Sequence, residues 1–170
     1  MGLFSKILGQ NQNNAIEVAA EKDVLYLPVE GEVIPLEAIG DGIFSEGVLG
    51  KGCGIRPSEE TVYAPVNGTV TTVADTRHAL GIVSDDGIEV LIHVGMDTVD
   101  MNGDGFSVLV APNQKIKCGQ PILKFNASKI KAAGHPTTTA FIVTNSDNFE
   151  EVAILQTGTM KKMSAVMKTA

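Results

Sequence analysis

At 170 residues the chain fits one domain, long enough to enclose a hydrophobic core without disulfides or metal. A formal net charge of −7, with no basic stripe ahead of the C-terminal residues, argues against nucleic acid and anionic lipid surfaces as partners. With 44% hydrophobic residues, 18 Gly, 7 Pro and no Trp, the composition excludes a disordered or coiled-coil chain, and two cysteines, Cys53 and Cys118, are too few for a disulfide framework or a four-thiolate zinc site. They are expected as buried or half-buried thiols in a reducing compartment.

The opening MGLFSKILGQ sets Leu3, Phe4, Ile7 and Leu8 at helical spacing, but its apolar run is too short for a signal peptide or a membrane span. A cytoplasmic location is therefore expected, with residues 2–9 open to peripheral membrane contact as a short amphipathic helix. Polar GQNQNN separates an N-terminal segment, residues 1–15, from a folded body over 16–158, and residues 159–170 read as a C-terminal tail. Through the body, VEGEVIPL, YAPVNGTVTTV, GIVSDDGIEVLIHVG, GFSVLVAP and QPILKFN are short β-branched runs set between Pro, Gly, Asn and Asp. They predict an all-β fold, an antiparallel sandwich or barrel-sandwich of many short strands with little helix. ASKIKAAG, residues 127–134, is the one helical stretch of the body, with Gly134 as its stop and Pro136 just beyond. MNGDGF, residues 101–106, lacks a P-loop lysine and a following apolar helix, so it reads as a tight turn and not an anion cradle.

One strand carries an oddity. In GIEVLIHVGMDTVD, residues 87–100, alternation puts Ile88, Val90, Ile92 and Val94 on one face and Glu89, Leu91 and His93 on the other. His93 thus belongs to the less buried face. Upstream, TRHALGIV reads as a second strand joined through SDDG, a hairpin signal. A two-residue turn at Asp86-Gly87 sets Leu80 opposite His93 with His78 its diagonal neighbour, whereas a loop at 85–86 or 84–87 sets His78 directly opposite. A three-residue loop at 85–87 sends the two rings to opposite faces. Asp-Gly favours the two-residue turn, and with it a histidine pair.

Two neutral imidazoles side by side suit a nucleophile with a supporting donor or base, or two ligands of a metal. Zinc needs three or four protein ligands, and only Asp97 follows His93 closely while His135 is distant, so no metal site is expected. No G-x-S-x-G elbow appears, and neither cysteine has a histidine near it in sequence.

The ordered set GLFSK, P-x-x-GEV-x-P-L, IFSEGVLGKG, APVNGTV, TRHALGI, DDGIEVLIHVGMDTV, GDGF and VTN resembles the glucose-class enzyme IIA of the bacterial phosphoenolpyruvate-dependent sugar phosphotransferase system, over about residues 20–158. The resemblance implies that His93 is the phosphorylated residue and His78 its partner, with Thr76 hydrogen-bonding the partner and Asp97 the acidic residue beside the site. It implies a relay in trans, from the phosphorylated histidine phosphocarrier protein to a ring nitrogen of His93 and on to the IIB domain of a membrane sugar permease. No cofactor is implied, and a monomer suits a shuttle. The same resemblance places Ile43, Phe44, Val48, Leu49, Ala74, Leu80, Leu91 and Val99 in a docking face around the histidines. Family members often carry phenylalanine where this chain has Ala74, Leu80 and Leu91, which implies a flatter, less aromatic face.

Three rivals share the strand-rich architecture. A biotinyl or lipoyl carrier domain needs a lysine in an exposed hairpin with a Met or Ala signature, which FNASK and MKKM do not supply. A zinc peptidase of this kind needs H-x-H on its last strand, where this chain has His93-Val94-Gly95. A non-catalytic regulatory binding protein of the same fold is separated from the relay by whether it carries phosphate at all.

Overall fold

Gly, Pro and Asn interrupt the β-branched runs every few residues, and the computed structural model, which describes residues 15–170, folds those runs into short strands. In chain order they are β1 (Val24–Tyr26), β2 (Gly31–Pro35), β3 (Lys51–Pro57), β4 (Thr61–Tyr63), β5 (Gly68–Val73), β6 (Ala79–Ser84), β7 (Glu89–His93), β8 (Phe106–Val108), β9 (Lys115–Ile116), β10 (Pro121–Phe125), β11 (Thr139–Val143), β12 (Val152–Ile154), β13 (Gly158–Met160) and β14 (Ala165–Thr169). Their pairings are antiparallel and form three sheets. The largest runs β13-β2-β3-β11-β7-β6-β5-β9, and two three-stranded sheets, β1-β14-β12 and β4-β10-β8, accompany it. The expected all-β sandwich of short strands with little helix is what the chain forms.

The expected helix is α1 (Ala127–Ala132), whose N-cap Asn126 accepts the Lys129 backbone N–H through its side chain. Residues 159–170, set apart on sequence as a tail, instead supply most of β13 and all of β14, because Val166 and Met167 are fully buried in the main core. The N-terminal stretch 2–9 lies outside the described residues.

Alternation assigns the two faces of the central strands. Val90 and Ile92 of β7 and Phe141 and Val143 of β11 join the main core with Leu80 and Ile82 of β6. On the opposite face Ala140 and Ile142 of β11 pack with Leu36, Phe44 and Met96 in a smaller apolar cluster that Ile39 and Leu91 border. Segment 36–49, with 3₁₀ turns at Leu36–Ile39 and Phe44–Glu46, covers that outer face. Every residue of β11 is consequently buried. His93 ends β7 at the margin of this satellite cluster, half-buried and not solvated.

Candidate functional site

Register decides what surrounds His93, and the hairpin does not use the expected turn. Ser84 pairs with Ile88 across the three-residue loop 85–87, with Gly87 at φ +85°, the left-handed position that closes a type I turn with a G1 bulge. The Ser84 hydroxyl accepts the backbone N–H groups of Ile88 at 2.9 Å and Asp86 at 3.2 Å, and Asn145 bridges the Gly87 carbonyl and the Glu89 N–H, both at 2.9 Å. These bonds to the longer loop outweigh the local preference of Asp-Gly for a two-residue turn. The result puts Ala79, not Leu80 or His78, beside His93 on β6, and Ala140 beside it on β11.

By strict alternation that register separates the two histidines, yet their ring centroids lie 4.6 Å apart with planes at 81°. The expectation failed on one premise: His78 is not in a strand. Ala74 and Ala79 close a turn, with the Ala74 N–H donating to the Ala79 carbonyl and the Arg77 N–H to the Ala74 carbonyl, and Arg77 takes φ +61°. This left-handed residue releases the one after it from the pleat. His78 packs edge-on to His93, and its ring centroid lies 6.4 Å from that of Phe106. Its carbonyl is held by the Val94 N–H at 2.8 Å, which ties the turn to the end of β7.

The remaining polar contacts fix both rings. Nδ1 of His93 lies 2.8 Å from the Gly95 carbonyl oxygen, and because a carbonyl can only accept, Nδ1 carries the proton and Nε2 keeps its lone pair. Gly95 sits at φ +77°, and a Cβ there would collide with the Thr98 side chain, so glycine is required. Nδ1 of His78 is 2.7 Å from the Thr76 hydroxyl. Phe44 also packs on His93, ring centroids 4.9 Å apart.

Burial, then the charge that His78 would carry, push the His93 imidazole down to about 4, although the Gly95 carbonyl and the Asp41 carboxylate favour its proton. Burial also lowers His78, with a hydrogen bond to the Thr76 backbone acting against it. Both rings are therefore neutral at physiological pH. Burial pushes the thiols of Cys53 and Cys118 up to about 12 and 11, so neither supplies a thiolate there.

The proposed docking residues divide. Ile43, Val48, Leu49 and Val99 are exposed, Ala74 and Leu91 are half-buried, and Leu80 is a core residue opposite Ile92, on the inner face of β6 by the same register. Phe44 is also buried, with its ring on His93. Asp97 is exposed and turns the chain at φ 60°. The carboxylate whose charge reaches His93 is Asp41, which sequence reasoning missed. Burial alone would raise its pKa, but the N–H groups of Ser45, Phe44 and Ile43 at 3.0–3.3 Å, with the Ser45 side chain, hold it below the ordinary carboxylate range. An Asp between two glycines ahead of a 3₁₀ turn was the available signal, since Asp readily caps such turns through its side chain.

Comparison with known proteins identifies the family. The family model for the phosphoenolpyruvate-dependent sugar phosphotransferase system, EIIA 1, matches residues 23–149. The beta-glucoside-specific EIIBCA component of Bacillus subtilis is 40% identical over 86% of this chain, and that of Dickeya chrysanthemi 41% over 89%; the chain spans 24% of the length of each. The glucose-specific EIIA component of Staphylococcus aureus is 35% identical, with 89% of each chain covered. Among solved structures, the glucose permease IIA from Mycoplasma capricolum is 28% identical and superposes with a TM-score of 0.75 over 89% of this chain and 98% of its own. With three-quarters of its length matched by the family model and a full-length relative above 30% identity, the chain belongs to the EIIA 1 family of the sugar phosphotransferase system.

Proposed function

We propose that the chain is a phosphocarrier that takes a phosphoryl group from the phosphorylated histidine phosphocarrier protein onto Nε2 of His93 and hands it to a IIB domain of a sugar permease. The observation that carries this reading is the Nδ1–H···O=C bond from His93 to Gly95, which leaves a neutral ring with its Nε2 lone pair free beside a second imidazole. As Nε2 bonds to phosphorus, the bond from phosphorus to the donor's ring nitrogen breaks and the donor imidazole leaves with that electron pair. The His93 ring becomes cationic, and the Gly95 carbonyl and the Asp41 charge stabilise it. Onward transfer runs the same step in reverse: the acceptor's nucleophile attacks phosphorus, the bond from phosphorus to Nε2 breaks, and neutral His93 departs with that electron pair.

His78 serves the equatorial oxygens. Taking the Thr76 hydroxyl as the donor to Nδ1, the Nε2–H tautomer makes His78 a donor toward a phosphoryl group carried on His93, whose ring centre lies 4.6 Å from its own. Catalysis is positioning and charge stabilisation, so no cofactor enters the step. Exposed Ile43, Val48, Leu49 and Val99 form the docking face, an apolar rim around a half-buried nucleophile. A IIB acceptor fits relatives whose names join A, B and C components in one chain. Among the described residues no helix is long and apolar enough to cross a membrane, and we place the relay in the cytoplasm, where phosphoenolpyruvate is made.

The test incubates the protein with phosphoenolpyruvate, the first enzyme of the system and the phosphocarrier protein, and follows an acid-labile, base-stable phosphate. His93→Ala should lose the label, while His78→Ala should accept phosphate but fail in onward transfer. Label persisting in His93→Ala refutes the choice of nucleophile, and a wild-type protein that never labels points to a non-catalytic binding role.

A further inference from the structure

The acceptor that fixes the His93 tautomer stands on a loop with few restraints of its own. Gly95 is the most permissive of residues and has no side chain to anchor its carbonyl. What precedes it is held on both sides. The Val94 N–H donates to the His78 carbonyl at 2.8 Å, and the Val94 carbonyl accepts the Thr98 hydroxyl at 2.6 Å. Thr98 is fully buried, and its methyl occupies the space into which a Gly95 Cβ would project. Because the Val94 carbonyl and the Gly95 N–H share one planar peptide unit, the hydroxyl that orients the first also sets the direction in which the chain enters Gly95. The Met96 N–H, donating to the Pro136 carbonyl at 3.2 Å, holds the far side of the same loop.

We propose that Thr98 is a positioning residue for phosphoryl acceptance: its hydroxyl clamps the Val94 carbonyl and thereby aims the Gly95 carbonyl at Nδ1 of His93. The inference rests on Nε2 of His93 being the acceptor. Without the clamp, the Gly95 carbonyl rotates off line and the ring gains access to the other tautomer, in which Nε2 bears the proton and has no lone pair to attack with. The effect of Thr98 reaches the chemistry through two peptide units, from the Val94 carbonyl to the Gly95 carbonyl. A threonine that merely satisfied its own buried hydroxyl on the carbonyl four residues back would have no such reach.

Thr98→Val keeps the shape and deletes the hydroxyl, while Thr98→Ser keeps the hydroxyl and deletes the methyl. Two readouts are taken on full-length protein: the ¹⁵N tautomer signature of the His93 ring by NMR, and the rate of phosphoryl acceptance as a function of phosphocarrier concentration. Thr98→Val should shift the ring toward the Nε2–H tautomer and lower kcat about three- to tenfold, the scale of one lost hydrogen bond, with KM within about twofold of the parent. Thr98→Ser should leave both readouts near the parent. An unshifted tautomer in Thr98→Val, or equal impairment in Thr98→Ser, overturns the proposal. Should Thr98→Val fail to fold by circular dichroism, Thr98→Ala set against Thr98→Ser makes the same comparison. The NMR readout needs no phosphoryl transfer, so it decides the hold of Thr98 on the ring even if His93→Ala retains label and the acceptor assignment falls.

Discussion

Acidification should destabilise this protein through His93, in a way that one substitution removes. Burial first, and then the charge on His78 with ring centres 4.6 Å apart, bring the imidazole from its ordinary 6.5 to about 4 in the folded state. In the unfolded chain the ring returns to 6.5. Between the two values the unfolded state binds a proton that the folded state does not, so stability falls as pH falls. The contribution is intact above about pH 6.5 and is lost progressively down to about pH 4. At about 1.4 kcal/mol for each pH unit the whole span is about 3.5 kcal/mol, and at pH 4.5, with the half-exposed edge of the site screened by solvent, about 2 kcal/mol is expected. Urea unfolding of the parent and of His93→Gln at pH 7.5, 6.0, 5.0 and 4.5 reads this directly, because other titrating groups are common to both proteins. The parent should lose about 2 kcal/mol more than the variant between pH 7.5 and 4.5. Parallel curves, agreeing within about 0.5 kcal/mol at every pH, would refute the claim that the site holds this ring neutral. The same placement makes phosphoryl acceptance flat from pH 8 to 5, and a rate that halves near 6.5 would show a ring titrating as if in water.

Substitutions at four further positions probe the pair and its surroundings. Thr76→Val removes the partner of His78 Nδ1 and should slow onward transfer about three- to tenfold while sparing first acceptance, with Thr76→Ser restoring the rate in the same stopped-flow assay. Gly95→Ala forces a side chain into a left-handed position against Thr98 and should cost about 2 kcal/mol or more, a fall of roughly 4–8 °C in Tm by calorimetry. Leu80→Ala empties a core site and should cost about 2–5 kcal/mol in urea unfolding with phosphocarrier Kd within about twofold, whereas Val48→Asp should weaken Kd and leave stability alone.

Much of the architecture was legible because period-2 patterning and turn residues act locally. The face of β7 that carries His93, the helix at 127–132 and the turn at 101–106 all follow from a few neighbouring residues. Register did not follow in that way. It was set by Ser84 and by Asn145, the latter 58 residues from the Gly87 carbonyl it holds, and no local rule for Asp-Gly contains that contact. Leu80 came into the docking list by family resemblance, and the register that sets it opposite Ile92 puts it on the core face of β6 instead. The role of residues 159–170 was hidden too, because β14 finds its partners in β1 and β12, and only burial of Val166 and Met167 shows that the segment is structural.

The two histidines come together by breaking a pattern, and that is why pattern reasoning reached the pair through a wrong premise. A strict ladder in this register would have placed one ring in the core and the other outside it. Instead β6 begins one residue late, after left-handed Arg77, and the two positions flanking His93 are alanines. A leucine at either position would fill the space that the His78 and Phe44 rings now occupy against His93. The site therefore depends as much on what is small as on what is reactive. Its electrostatics follow from the same crowding: neighbours that exclude water from His93 are the first cause of its low proton affinity, and the Gly95 carbonyl is what turns a neutral ring into one with its lone pair at Nε2.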